Sequence, residues 1–323
     1  MYALNSSLVR VKRKSPCRIC GKSNWCSMTD DGVMAICMRV AEGSIKESKN
    51  FGYIHILEER EYRPLDPIPR KPEAPTRAPL ERRDAVYRAM LATLTLTARH
   101  AENLRERGLS TLTIERNAYA SLPALSRIPD LCADLAREHN LANVPGFYRD
   151  EEGRWMFEWR PGFFVPARDT QGRIQGCQIR QDRGSRYIWF SSPEDEEGKR
   201  KAGASSGAPI HFARPWRANA TGEAVITEGL LKADITAELL DACVVGVPGV
   251  SALGVHFGAE FKARLPKIAT VFVAYDADWR VKSQVATALQ RLFDSLAGVG
   301  LNAVPLDWND VKGLDDFLVK GVK

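Results

Sequence analysis

Between Ala224 and Asp278, three short apolar runs alternate with helical patterns, an arrangement few folds accept. Ala224-Val-Ile-Thr227 is followed at once by Glu228-Gly229 and then by a helical pattern from Leu230 to Leu240. The second run, Cys243 to Val247, ends in Pro248-Gly249-Val250. The third, Ile268 to Tyr275, ends in Asp276-Ala277-Asp278. Short buried runs joined through helices predict βα units and a parallel sheet. Open sheets of this kind bind ligands beyond the carboxyl ends of their strands. Glu228, Asp276 and Asp278 all fall at that edge, although 48 residues separate the first two.

Three carboxylates gathered at one edge repel each other unless a cation lies between them. An all-oxygen set without His or Cys suits Mg²⁺ or Mn²⁺. Such an ion, held by few ligands with open positions, serves phosphate chemistry. Solvated acids at strand ends are the plainer alternative. That alternative explains either motif alone better than it explains both in order around a glycine turn.

A second cluster lies near the N-terminus. Cys17, Cys20, Cys26 and Cys37 follow the pattern Cys-x2-Cys-x5-Cys-x10-Cys, with Gly21 relieving the turn after the first pair. No apolar leader follows Met1, so no signal peptide is expected and a cytoplasmic location is. In a reducing compartment these thiols read as metal ligands rather than disulfides. Four thiolates with no open position suit a structural tetrahedral Zn²⁺, which can fold a segment too small to build a core. Arg10, Lys12, Arg13, Lys14, Arg18, Lys22 and Arg39 surround the cluster. They fit a phosphate backbone, and a solvated surface explains any one of them equally well. Trp25 could stack on a base, but packing against the knuckle is the expected role. Phe51 to Leu57 alternates as a strand that closes the module.

Six prolines between Pro64 and Pro79 mark a semi-extended linker. From Glu81 to Leu141 the pattern is helical, with Gly108 as a helix stop, Ser110 as the next N-cap and a third helix over Pro129–Glu138. Residues 147–212 turn to short strands. Trp155–Trp159 alternates, Phe163–Arg180 reads as a hairpin turning at Thr170-Gln171-Gly172, and Tyr187–Ser192 is a further strand. Arginines interleave with the aromatics, among them Arg154, Arg160, Arg168, Arg173, Arg180, Arg183 and Arg186. Such strands suit single-stranded nucleic acid or nucleotide phosphates, or else present a solvated Arg face. An amphipathic helix over 281–297, a strand over 301–306 and the segment Lys312–Leu318 complete the chain. Asp315 and Asp316 are explained there as helix N-terminal residues.

These features together resemble the DnaG-type primases, and among them a phage or mobile-element group. Glu228-Gly229 and Asp276-Ala277-Asp278 are similar to the glutamate and Asp-x-Asp motifs of the Toprim domain, with Gly246–Val250 as the intervening turn. Pro166–Arg180 resembles the segment that precedes Toprim in primase polymerase domains, where Arg168 and Arg180 match best. Gly313-Leu-Asp-Asp-Phe-Leu318 is similar to the segment that closes such cores. One position departs: where many of these primases carry an acid four residues after the glutamate, this chain has Lys232.

The resemblance implies an α/β fold: a Toprim-type parallel-sheet domain (222–323) preceded by a mixed α+β basic subdomain (147–221) and a helical region (81–146). The small zinc-binding module (1–62) is joined through the linker 63–80. It further implies short RNA primers made from ribonucleoside triphosphates on a single-stranded DNA template. Glu228, Asp276 and Asp278 would hold magnesium or manganese, and Lys232, Arg168 and Arg180 would contact phosphate. The chain leaves no room for a helicase domain, so a replicative helicase is expected as a separate partner. A Toprim nuclease and a non-catalytic DNA-binding replication or defence factor remain as alternatives. The net charge of +6 permits nucleic acid without requiring it. The longest apolar region, Ala242–Phe261, is too interrupted to span a membrane.

Overall fold

A computed structural model describes residues 8–48, 52–57, 77–184, 186–194, 199–249, 253, 256–275, 283–308, 311 and 313–322. Asp276, Asp278 and most of the Pro-rich stretch lie outside the described residues. The chain divides into two compact units, Met1–Arg70 and Lys71–Lys323.

In the first unit, β1 (Leu8–Arg10), β2 (Ser27–Thr29), β3 (Met34–Cys37), β4 (Lys46–Ser48) and β5 (Gly52–Ile56) form an antiparallel sheet in the order β1-β2-β3-β5-β4. Its apolar cluster is small: Val11 with Cys17, Cys26 and Cys37, flanked by Ile19, Met28 and Val40. Thiols stand where a larger domain would place Leu and Ile, as expected of a segment organised around a metal.

The second unit opens with α1 (Leu80–Ala92), α2 (Ala98–Glu106) and α3 (Thr111–Arg116). Gly108 adopts a positive φ of 95° past the end of α2, and the Ser110 hydroxyl accepts from the Thr113 N–H to cap α3. Next come β6 (Ala120–Ser121), α4 (Ile128–Glu138) and the hairpin of β7 (Phe147–Arg149) with β8 (Trp155–Phe157). Then follow β9 (Gly162–Arg168), β10 (Ile174–Gln181) and β11 (Tyr187–Trp189). The β9–β10 connection turns at Gly172, whose φ is 80° and whose N–H donates to the Asp169 carbonyl. These strands form a sheet in the order β11-β10-β9-β6, so the helical stretch supplies an edge strand to the stretch after it. One core joins the two: Val86, Tyr87 and Met90 of α1 and Ile128 and Cys132 of α4 pack with Phe147, Phe157, Phe164 and Phe190.

The remainder is β12 (His211–Ala213), α5 (Pro215–Thr221), β13 (Glu223–Glu228), α6 (Leu230–Leu240), β14 (Val244–Val247), α7 (Phe257–Arg264), β15 (Thr270–Ala274), α8 (Ser283–Ala297), β16 (Asn302–Pro305) and α9 (Leu314–Val322). The sheet order is β12-β14-β13-β15-β16; β12 is antiparallel to β14, and every other pairing is parallel. Alternation along β13 serves both faces. Ala224 and Ile226 pack with Phe257 and Phe261 of α7 and Leu292 and Leu296 of α8, while Val225 packs with Ala233 and Ala237 of α6 and Leu314 of α9. Leu230, Leu231 and Ile235 of α6 pack on the other side against Phe163, Val165 and Ala167 of β9. That double contact explains why α6 is apolar on nearly every side. Leu230, Leu231 and Ile235 each contribute about 1.5–3 kcal/mol by burial.

Candidate functional site

The carboxyl edge of the parallel sheet is built by register. Glu228 ends β13 and lies level with Val247, the last residue of β14. On the other side Thr227 pairs with Ala274, so Tyr275, the last described residue after β15, comes level with Glu228. Gly229 holds φ at 94°, which favours glycine, and its N–H donates to the Val247 carbonyl at 2.8 Å before α6 begins. A Cβ on Gly246 would lie 2.8 Å from the Gly229 carbonyl oxygen and 3.0 Å from the Ala233 Cβ. A bare strand position is therefore needed where α6 comes down on β14. The Glu228 carboxylate faces the turn after β14, 3.8 Å from where a Cβ on Gly249 would stand. The Tyr275 hydroxyl is buried without a hydrogen-bond partner among the described residues, and burial together with the Glu228 charge pushes its pKa up. Glu228 is thus half-buried at the sheet edge, in a position where hard-cation coordination fits its chemistry.

Lys232 sits half-buried in the first turn of α6, and its charge acts on Asp315 of α9. Asp315 is 2% exposed. One oxygen accepts from Arg107 Nη2 at 2.7 Å, and the other has no partner among the described residues. Burial raises its pKa against the pull of Arg107 and Lys232. Asp315 therefore does more than begin a helix: it ties the end of α2 to α9 beside Lys232. The sequence carried no signal for this pair, because Arg107 and Asp315 are 208 positions apart.

Arg168 and Arg180 are not brought together. Arg168 pairs across the hairpin with Ile174, and Arg180 with Phe163, five residues back along β9, which is roughly 17 Å. Arg168 Nη2 donates to the Asn117 carbonyl. Its backbone N–H donates to His211 Nδ1 at 2.9 Å, which assigns the proton of that ring to Nε2. Nε2 meets Asp234 Oδ1 at 3.1 Å, and the Tyr119 hydroxyl donates to Oδ2. Burial works to raise the Asp234 pKa, but His211 and then Arg168 and Tyr119 hold it below the usual carboxylate range. Asp234 is thus committed to the contact between α6, β12 and β9. Arg180 Nη1 donates to the Gln181 carbonyl, and its guanidinium lies 5.4 Å from the Tyr187 ring centroid.

In the first unit, Cys17, Cys20, Cys26 and Cys37 place their sulfurs all within 4.8 Å of one another. The Cys20 and Cys26 Sγ atoms are 3.7 Å apart, close to the edge of roughly 3.8 Å expected for a tetrahedron with zinc–sulfur bonds of about 2.3 Å. The knuckle is closed by Gly21 N–H to the Cys17 carbonyl and Cys17 N–H to the Lys22 carbonyl. Burial pushes the Cys26 thiol up to about 12 and raises Cys37 as well. Burial also opposes ionisation of Cys20, yet hydrogen bonds from Lys22, Cys26, Cys17 and Cys37 bring it down to about 6. Four neighbouring thiols ionise together only around a cation, so the donor set fits one tetrahedral soft-ligand metal ion. Cys26, whose spacing is unusual, stands among the four. Trp25 does not pack against the knuckle as expected: it is 74% exposed, on a backbone with a φ of 69°.

Residues 216–323 match a family described as a domain of unknown function, DUF3854. No curated protein matches the chain. Among solved structures, the fold is similar to the zinc-binding and RNA polymerase domains of the Aquifex aeolicus primase, with a TM-score of 0.55 and 16% identity over 74% of this chain and 58% of that one. It is also similar to the RNA polymerase domain of Mycobacterium tuberculosis primase DnaG in complex with double-stranded DNA (TM-score 0.56, 17% identity, 74% of this chain and 77% of that one). A DnaG primase catalytic domain bound to single-stranded DNA aligns with a TM-score of 0.51 and 18% identity, over 74% of this chain and 78% of that one. The chain is thus a mixed α/β protein with several sheets, folded similarly to DnaG-type primase catalytic cores.

Proposed function

We propose that this chain is a primase-like nucleotidyltransferase of the Toprim type that makes short RNA primers on single-stranded DNA for a phage, plasmid or integrated element. The observation that carries this reading is the register of β13 and β15, which brings Glu228 level with the residue before Asp276 at the carboxyl edge of a parallel sheet. The likeness to primase cores supports it. One of those neighbours is bound to single-stranded DNA and another to double-stranded DNA.

In this reading Glu228, Asp276 and Asp278 would hold Mg²⁺ or Mn²⁺, an ion that would supply charge neutralisation for the phosphate oxygens of an incoming ribonucleotide. A primer 3′-hydroxyl attacks the α-phosphate and pyrophosphate leaves. Glu228, half-buried and edged by the Pro248-Gly249 turn, would bind that ion directly or through water, or assist transfer of the hydroxyl proton. Lys232, one turn along α6, would offer a cation to the triphosphate, and its charge also acts on Asp315 of α9. Arg168 and Arg180, at separate ends of the β9–β10 hairpin, would meet different parts of the template and nucleotide backbone. The zinc-bearing first unit would engage the template, and a replicative helicase would be a separate partner.

The test is incubation with single-stranded DNA, labelled ribonucleotides and Mg²⁺ or Mn²⁺. The wild type should yield labelled oligonucleotides. Asp276→Ala/Asp278→Ala should yield none, and Glu228→Gln about 100-fold less, with template binding retained in both. Template shortening by the wild type alone would replace this reading with a nuclease. Binding without either product would replace it with a DNA-binding factor.

A further inference from the structure

At the end away from Glu228, α6 is tied to two other helices by ion pairs and hydrogen bonds. Arg214, at the N-cap of α5, donates to Asp241 Oδ1 at 2.6 Å and to Glu238. Arg217 of α5 donates to the same Asp241 oxygen at 3.1 Å. Glu238 Oε2 in turn accepts from the Thr113 hydroxyl of α3 at 2.8 Å. Arg214 and Asp241 both hold φ at 49°, a left-handed conformation that a residue with a side chain keeps only where its surroundings fix it. α3, α5 and the end of α6 are therefore locked to one another.

That frame presents a tryptophan to solvent. Trp216 of α5 is 53% exposed, and the Arg116 guanidinium of α3 lies 5.6 Å from its ring centroid. Leu112, one turn before Arg116, is 72% exposed. Among the described residues Arg116 forms no ion pair, and its side chain makes only a 3.4 Å hydrogen bond to the Thr113 hydroxyl. The Trp216 indole N–H has no acceptor among them either. Arg214 and Arg217 are already matched by Glu238 and Asp241, so this face offers one open cation, on an indole, beside a leucine. A phosphate backbone, which draws its affinity from several cations in file, is poorly met there. A carboxylate flanked by an apolar side chain is met at both points. Trp and Arg are also the residues that concentrate binding energy at protein interfaces.

We infer that Leu112, Arg116 and Trp216 form a docking site for an acidic segment of a partner protein, one that carries a carboxylate next to a bulky apolar side chain. The carboxylate accepts from the Arg116 guanidinium and the Trp216 N–H, and the apolar side chain covers Leu112 and the indole. At about 1.5 Å per residue, Leu230–Leu240 is roughly 15 Å long, so the partner docks a helix length from the Glu228 edge. This docking does not depend on what the Glu228 edge catalyses.

The experiment is selection of a phage-displayed random peptide library on the immobilised full chain, with counter-selection on Trp216→Ala, followed by fluorescence polarisation of the enriched peptides. Those peptides are expected to carry Asp or Glu beside Leu, Ile, Phe or Trp. Trp216→Ala and Arg116→Glu are each expected to bind them about tenfold more weakly, and exchanging the peptide's carboxylates for amides to cost the wild type a similar factor. Should Trp216→Ala lower the thermal midpoint, Leu112→Asp, at a more exposed position, replaces it in both steps and is expected to show the same loss. Enrichment of basic or purely apolar peptides, or no enrichment, would overturn the inference. So would wild-type affinity in Arg116→Glu. Oligothymidylate binding that falls about tenfold in Trp216→Ala would overturn it in favour of nucleic acid. A concentration-dependent dimer in sedimentation that Trp216→Ala abolishes would overturn it in favour of a second copy of this chain.

Discussion

Asp234 is a carboxylate kept ionised where water does not reach it. It is 4% exposed, and His211 and Tyr119 supply the hydrogen bonds that water would otherwise give. Its folded-state pKa lies below the unfolded value, so its contribution to stability is complete above roughly pH 4 and is lost as acid takes the pH down through the lower folded value. Asp234→Asn should cost about 2 kcal/mol at pH 7, read as a lower urea midpoint, and the gap to wild type should narrow below about pH 4. A gap that did not change with pH would show that the charge of Asp234 is not what stabilises this contact. Nothing near Asp234 in the sequence announced this role. Its partners stand 23 and 115 positions away, on β12 and just before β6, and only tertiary packing against α6 brings them to it.

At the scale of elements, local pattern carried far. The apolar runs at 224–227, 243–247 and 268–275 are β13, β14 and β15, and Leu230–Leu240 is α6 to the residue. Ser110 caps α3 and Gly172 turns the hairpin, because both signals act within a few residues of themselves. The helix read over 281–297 is described from Ser283, with Leu292 and Leu296 buried as expected. Local pattern did not reveal β12, which joins the parallel sheet in the antiparallel sense, nor β6, a two-residue edge strand. Gly246 shows how two elements meet. In the sequence it was one glycine of a turn; in the fold it is the strand position on which α6 rests. Gly246→Ala should cost about 2 kcal/mol by forcing α6 off β14. Because that shift moves Gly229 and Glu228 with the helix, primer synthesis should fall by a larger factor than thermal stability alone explains. A variant that loses stability and keeps full activity would show that the helix seat is not coupled to the site.

At the scale of the molecule, two units depend on different forces. The second is held by apolar cores between sheets and helices; the first has a cluster in which cysteines outnumber aliphatic residues. Removing metal with a chelator should therefore abolish amide-exchange protection across residues 8–57 while protection in β13, β14 and β15 persists. Cys17→Ser should reproduce that pattern without chelator. Retained protection in β3 and β5 after chelation would show that the sheet folds without the ion. Among the described residues no helix is long and apolar enough to cross a membrane.

The sequence alone determined what depends on spacing along the chain: the four-cysteine pattern, the βα alternation and the caps and turns that position Glu228 and Lys232. Each of these acts through neighbours within a turn or a strand, so the order of residues suffices. The tertiary structure alone decided what depends on which surfaces meet. It paired Asp315 with Arg107, sank Asp234 between α6 and β9, merged two stretches of chain into one core and left Trp25 facing solvent. Burial is a property of the whole packed surface, and no stretch of residues carries it by itself.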